Sequence, residues 1–315
     1  MSSATQSSIF YDPEARFIQL PRRGHNNTLW TEEDKRFHGI FERAEFLSTK
    51  FAYRKTMKAM GIAEGVDTLL ESMQLGKLAH MDYNVYPHLC RDFLSTINLI
   101  EVNGLMWLEF LLGDRKYQIS MMTFCNKYSF PDRDFEPQPH FSQSSNVWRN
   151  ITLPIEYVEG ESRLSMVKNP TVRYVLNLLV TTYFGRYDCS FPTTRELLLL
   201  YNAVRVAPEH QVLEFYPAPN PGSIFLRKLI QTKFDWDIPD ATPEIYGGAF
   251  LTSLFQEFPQ SLLHQFINND YNMRVLPLLH PIAGSTERYN NLHMDIDGAY
   301  FFTPPLGFNT IPQYN

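Results

Sequence analysis

Ser165 to Val204, SMVKNPTVRYVLNLLVTTYFGRYDCSFPTTRELLLLYNAV, leaves a folded chain little choice. Asn169 can accept hydrogen bonds from the free amides at a helix start, and Pro170 in the first helical position has no N–H to leave unsatisfied. Val172, Val175, Leu176, Leu179 and Val180 recur at three- and four-residue steps, so one face of this helix is apolar and has to be buried. Gly185 and Arg186 end it. A turn over Tyr187 to Pro192 follows, and Thr193 or Thr194 can cap a second helix. Its run Leu197 to Leu200 is apolar on nearly every side, the pattern of a helix at the centre of a core. The remainder of the chain has to cover this pair.

Upstream, Thr31 before Glu32, Glu33 and Asp34 starts a helix, because the hydroxyl caps free amides and the carboxylates suit the positive end of the helix dipole. Ile40, Phe41, Ala44 and Leu47 give it a buried stripe. Further helices are expected over Tyr53 to Met60, Gly65 to Met73 and Tyr86 to Ile97, the first stopping at Gly61 and the second before Gly76. Leu105 to Ser120 changes character: two extended runs flank Gly113-Asp114 and read as a β-hairpin, although Asp-Gly or Asn-Gly would be the stronger turn signal. Met121 to Tyr128 reads as a short helix. Ser129 to Glu161 carries Pro131, Pro137, Pro139 and Pro154 among polar residues and reads as a long connection.

Beyond the helix pair, Val206 to Pro221 is rich in proline and aromatics. Ser223 to Phe234 reads as a helix capped by Ser223 and carrying Phe225, Leu226, Leu229 and Ile230. Ala249 to Phe258 is helical in pattern, with Ser261 to Ile267 continuing beyond Pro259. The expected organisation is a flexible arm over 1–29, an N-terminal helical module with the hairpin over 30–130, and a Pro-rich connection over 131–164. A C-terminal helical module over 165–275 and an extended tail over 276–315 complete it. The fold class is mainly α, a multi-helix globular domain with one small β-hairpin.

Charge and cysteine usage narrow the function classes. The net charge is −6, the apolar fraction 44% and the charged fraction 20%, ordinary for a globular chain and unlike a disordered one. Aromatics at 14% suit either a dense interior or a sticky surface. Met1 to Met60 holds ten basic residues against seven acidic, whereas after Phe234 nine acidic residues face only Arg274 and Arg288. Any nucleic-acid contact therefore falls on Arg22-Arg23 and on the cluster Arg54, Lys55 and Lys58; otherwise such clusters are simply solvated faces. Cys90, Cys125 and Cys189 form no CxxC pair and no disulfide framework, the usage of a reducing compartment, so nucleus or cytoplasm is expected. No run of about eighteen apolar residues suits a membrane span, and the N-terminus has no secretory pattern.

The chain shows no enzymatic constellation. Asp295-Ile296-Asp297-Gly298 is a D-x-D-G string, but an EF-hand loop would need a twelfth-position glutamate where Leu306 stands. A retroviral-type protease loop would need Ser or Thr after the catalytic Asp, and Gly298 follows Asp297. His80 and His88 match no HExxH or zinc-finger spacing, so both read as packing or surface residues. Gly247-Gly248 lacks the Lys and Ser/Thr of a phosphate loop, and no G-x-S-x-G elbow occurs. No catalytic residue, cofactor or metal site is expected.

The phrase KNPTVRYVLNLLVTTYFGR, Lys168 to Arg186, followed by the Glu196-Leu197 helix, resembles a known pattern: an NP-x-[IV]-RY opening, an apolar helix, an FGR ending and an EL-x-LL helix. This is the pattern of the first-open-reading-frame protein of Athila-type plant LTR retrotransposons of the Gypsy class. Phe46 to Ile97 is similar to the same family's upstream run, and the resemblance extends over roughly Phe37 to Asp297. Ala63, Glu64 and Gly65 stand where the family has an acidic pair, and Cys90-Arg91-Asp92 replaces its LT-x-E, as in a diverged copy. The resemblance implies a non-enzymatic structural protein in the Gag position, self-associating, with weak RNA binding. A host-retained nuclear adaptor of the plant mobile-domain type, binding other proteins and building no particle, is the alternative.

Overall fold

The computed structural model describes residues 30–255 apart from 48, 82, 114, 137–143, 153–154, 187, 204–218 and 239–241, together with 18–19, 276–278, 292–294 and 300–302. Most of Val206 to Pro221, the Ser261 to Ile267 extension, Arg22-Arg23, and Asp295 and Asp297 lie outside these residues.

Local chemistry places the helices close to where periodicity puts them. Helix α1 (Glu32–Glu42) opens with a reciprocal capping box: the Thr31 hydroxyl accepts from Asp34 N–H while the Asp34 carboxylate accepts from Thr31 N–H. It buries Phe37, Ile40 and Phe41 against α4 (Pro87–Thr96). Between them lie β2 (Glu45–Phe46), β3 (Lys50–Ala52), α2 (Arg54–Ala59) and α3 (Ala63–Ser72), then a single 3-10 turn at Gly76–His80. β2 runs parallel to β7 (Glu244–Ile245) and β3 parallel to β8 (Leu276–Leu278), while β9 (Leu292–Met294) pairs antiparallel with β10 (Tyr300–Phe302).

The single hairpin becomes a four-stranded antiparallel sheet, in the order β1 (Ile18–Gln19), β6 (Arg115–Ser120), β5 (Leu105–Leu112) and β4 (Asn98–Val102). The expected β5–β6 pairing is present, with Phe110 opposite Tyr117 and their rings stacked at 5.7 Å. The missed strand is β4, joined to β5 through Asn103-Gly104. Both turn residues have positive φ, 54° and 78°, which the flat Asn side chain and the absent glycine Cβ tolerate. The stronger turn signal thus sits one strand upstream of the hairpin. One face of the sheet, Leu108, Phe110, Leu112, Tyr117 and Ile119, is buried.

Helix α5 (Met121–Lys127) follows directly, capped by the Ser120 hydroxyl. Within the Pro-rich stretch expected to be a connection lies α6 (Ser144–Ile151), which buries Val147, Trp148 and Ile151 and packs on α8 (Thr194–Ala203). Helix α7 (Pro170–Leu178) has the expected Asn169 cap, its side chain accepting from Val172 N–H. The last turn before Gly185, Leu179–Tyr183, is π-helical. Thr181 Oγ1 donates to Asn177 O at 2.8 Å and Thr182 Oγ1 to Lys50 O at 2.5 Å. The Thr181 bond to the carbonyl four residues back is of the kind that bends a helix, and it falls at the widened turn.

Helix α9 (Pro221–Asp235) is capped three residues earlier than the Ser223 cap predicts, by Asn220: its side-chain Oδ1 accepts from Gly222 and Ser223 N–H. Pro221 then repeats the Asn-Pro opening of α7. Helix α10 (Gly248–Phe255) closes the described core, which joins residues from Phe37 to Phe255 in one buried cluster. Phe124, Tyr128, Phe130, Tyr183, Phe225 and Phe250 interlock at ring distances of 4.7 to 6.4 Å. Among the described residues most aromatic side chains are therefore interior. Phe234 is the one aromatic among the exposed large apolar residues described.

Candidate functional site

The signature residues Asn169 to Arg186 converge on structural joints, and their geometry defines the most organised site in the described residues. Tyr174 Oη accepts from Tyr53 N–H at 2.9 Å, tying α7 to the start of α2. Arg173 is only 2% exposed and donates from Nη2 to the carbonyls of Ser165 and Val167, both at 2.5 Å. Burial lowers the pKa of its guanidinium to about 10. The chain entering the helix is thereby fastened to the helix itself.

At the other end, Arg186 places Nη2 2.8 and 2.9 Å from the two carboxylate oxygens of Glu196, and 3.2 Å from Phe191 O. Glu196 Oε2 also accepts from Thr193 N–H, which makes it the third residue of α8 reaching back to the cap. Its side chain has no exposed surface, and burial pushes its pKa up while Arg186 pulls it down. The FGR ending and the EL-x-LL opening are thus two halves of one ion pair that fixes the angle between α7 and α8.

Gly185 and Gly247 meet back to back. Gly185 has φ +56°, and a Cβ there would lie 2.6 Å from Tyr246 O; Gly247 has φ +77°, and a Cβ there would lie 2.8 Å from Thr182 O. Around this contact opens a cavity of about 310 Å³, lined among others by Leu94, Arg186, Lys228, Trp236 and Tyr246. Lys228 is held 3.5 Å from Asp235, and burial lowers its pKa. Cation and carboxylate face one another here, so the cavity carries no concentrated charge of one sign.

The basic cluster lies elsewhere, on α2. Arg54, Lys55 and Lys58 are all exposed on this short helix, with Met57 turned into the core between them. Arg54 is ion-paired with Asp67 of α3, which neutralises part of the cluster's field. Lys55 and Lys58 stand one turn apart and present charge to solvent.

Other sequence candidates are dispersed. His88 is exposed on α4, and the side chain of His80 lies outside the described residues. Among the described residues no group of three His, Cys, Asp or Glu could hold a metal ion, and no helix is long and apolar enough to cross a membrane. Cys90 and Cys125 are buried, with Cys90 Sγ 3.7 Å from Gly248 O, while Cys189 is half-buried. Burial pushes the pKa of the Cys125 thiol up to about 11.

Sequence reasoning missed Asp92. It is buried on α4, accepts from Gly113 N–H at 2.6 Å and faces His38 Nε2 at 3.4 Å, joining α1 to the β5–β6 turn. Burial raises its carboxyl pKa, opposed by the Gly113 amide, His88 and His38. A signal existed: Asp92 falls three residues after Leu89 and four before Thr96, on the stripe that α4 buries.

A family model described as the ATHILA ORF-1 family matches residues 18–207. No curated protein and no solved structure matches the chain.

Proposed function

The chain belongs to the ATHILA ORF-1 family, and from that premise we propose that it is the non-enzymatic structural protein of a retrotransposon, standing in the Gag position, self-associating, and touching RNA weakly through α2. The family match carries this reading, because it includes every residue of the Asn169 to Arg186 signature and of α2. The joints built by that signature hold helices together, which suits a protein whose role is shape.

RNA contact rests on Lys55 and Lys58, with Arg54 contributing less because Asp67 engages it. Few cations take part, so binding should be weak, indifferent to sequence and lost as salt rises, with a slope set by the few basic residues engaged. The excess of acidic residues after Phe234 disfavours a contact through that part of the chain. The partners are further copies of the chain and RNA.

Light scattering coupled to size-exclusion chromatography, over a range of protein and salt concentrations, tests self-association. A monomer throughout removes the particle-forming reading. Fluorescence anisotropy with a short labelled RNA tests the second part: replacing Arg54, Lys55 and Lys58 together by Glu should abolish binding. Binding that survives the triple change, or that persists at high salt, places the RNA contact elsewhere.

A further inference from the structure

A second cavity, of about 220 Å³, lies where the segment entering α7 meets the turn between α7 and α8. Its polar lining is Arg163, Ser165, Arg173, Asn177 and Ser190, and no carboxylate lines it among the described residues. The walls are joined: Leu164 N–H donates to Ser190 O at 2.7 Å, and Asp188 Oδ1 holds Ser190 N–H at 2.8 Å. Arg163 sits at the exposed rim, its guanidinium 5.7 Å from the Phe191 ring centre, while Arg173 is buried. Two guanidinium groups, the Ser165 hydroxyl and the Asn177 amide therefore surround one preformed hollow, while the Ser190 hydroxyl is engaged by Asp188.

From this arrangement we propose that the hollow binds a terminal phosphate group. Guanidinium forks match phosphate oxygens in pairs, and donors arriving from several directions suit a tetrahedral anion better than a planar carboxylate. The volume lies below the roughly 300 Å³ at which drug-sized ligand sites begin, so the site takes the phosphate and little of what it is attached to. A phosphomonoester can enter end-on; an internal phosphodiester, with chain on both sides, cannot reach a group as deep as Arg173. Burial destabilises the Arg173 charge, and an incoming anion offsets that cost. The site is independent of α2 and of the structural role proposed above.

Cys189 lines the same hollow and is the half-buried thiol, whereas Cys90 and Cys125 are buried. Its alkylation by N-ethylmaleimide, followed by mass spectrometry on the full chain, reports occupancy directly. Inorganic phosphate should slow Cys189 alkylation several-fold relative to potassium chloride of equal ionic strength. Arg163→Gln, an exposed change that leaves the fold intact, should raise the phosphate concentration needed by about tenfold, the loss of roughly 1.4 kcal/mol of charge-assisted bonding. A 5′-phosphorylated tetraribonucleotide protecting at lower concentration than phosphate identifies an RNA end as the source, and equal protection identifies free phosphate. Equal rates in phosphate and chloride, undiminished protection in Arg163→Gln, or equal protection by the 5′-hydroxyl tetraribonucleotide overturns the proposal.

Discussion

Replacing Gly185 by Ala probes the joint between the π-helical turn and Tyr246. The backbone there has φ +56°, a conformation that costs an L-residue about 1–2 kcal/mol. The added Cβ would also stand 2.6 Å from Tyr246 O and 3.1 Å from Tyr246 C. Both are backbone atoms, so no side chain can swing away, and relieving such overpacking costs about 1–3 kcal/mol more. The expected total is about 2–5 kcal/mol, out of the roughly 5–15 kcal/mol that holds a domain folded. With a urea dependence near 2 kcal/mol per molar, the unfolding midpoint should fall by about 1–2.5 M. Gly104→Ala is the control: its φ is +78° but a Cβ there meets nothing within 4 Å, so only the conformational part should be lost. Equal losses in the two variants would show that the close approach to Tyr246 contributes nothing and that the joint is looser than described.

Leu176→Asp should prevent folding, since it puts an unpaired carboxylate at a position with no exposed surface, at a cost of several kcal/mol; circular dichroism with a native melt would refute that burial. Asn220→Ala should cost about 1–2 kcal/mol in urea unfolding, because it removes the cap of α9 as well as the 3.0 Å bond from Asn220 Nδ2 to Asp134 O; a change below a few tenths would mean water replaces the cap. For Asp92 the folded state holds the proton more tightly than the unfolded chain, so the associated stability is complete below the ordinary carboxylate pKa of about 4 and is lost as pH rises through the raised value. Asp92→Asn should therefore gain stability relative to the native protein as pH is raised above about 4; parallel pH profiles would exclude this role.

Periodicity and cap chemistry located nearly every long helix, because Thr31, Asn169 and the apolar steps after them are local statements about local hydrogen bonds. What stayed hidden depended on neighbours far along the chain. Strand β4 has the polar, half-exposed pattern of an edge strand, and only its Asn103-Gly104 turn announced it. Helix α6 is short and lies among prolines, and its buried face, with Trp148, is completed by α8 far along the chain. Nothing in the charged side chains of Arg173 and Asp92 themselves shows that both are almost wholly enclosed. The basic residues of α2 were visible as a cluster, but their reduced strength was not, since Asp67 lies on the next helix. Both cavities are bounded by segments separated in sequence and carry no local pattern.

The pairing of β2 with β7 sets a timetable for the newborn chain. Phe46 must wait for Ile245, and the aromatic cluster waits for Phe225 and Phe250. At about 5–20 residues per second, translation separates these partners by roughly 10–40 s. During that interval the faces of α4 and α5 that pack on α9 and α10 have no cover, and contacts so distant in sequence close slowly even once synthesis ends. A premature stop in the stretch after α8 would leave a polypeptide that contains the whole signature and yet lacks the lid of its own core. Decaying copies of such a reading frame should consequently yield aggregating or rapidly degraded products well before the signature itself is damaged.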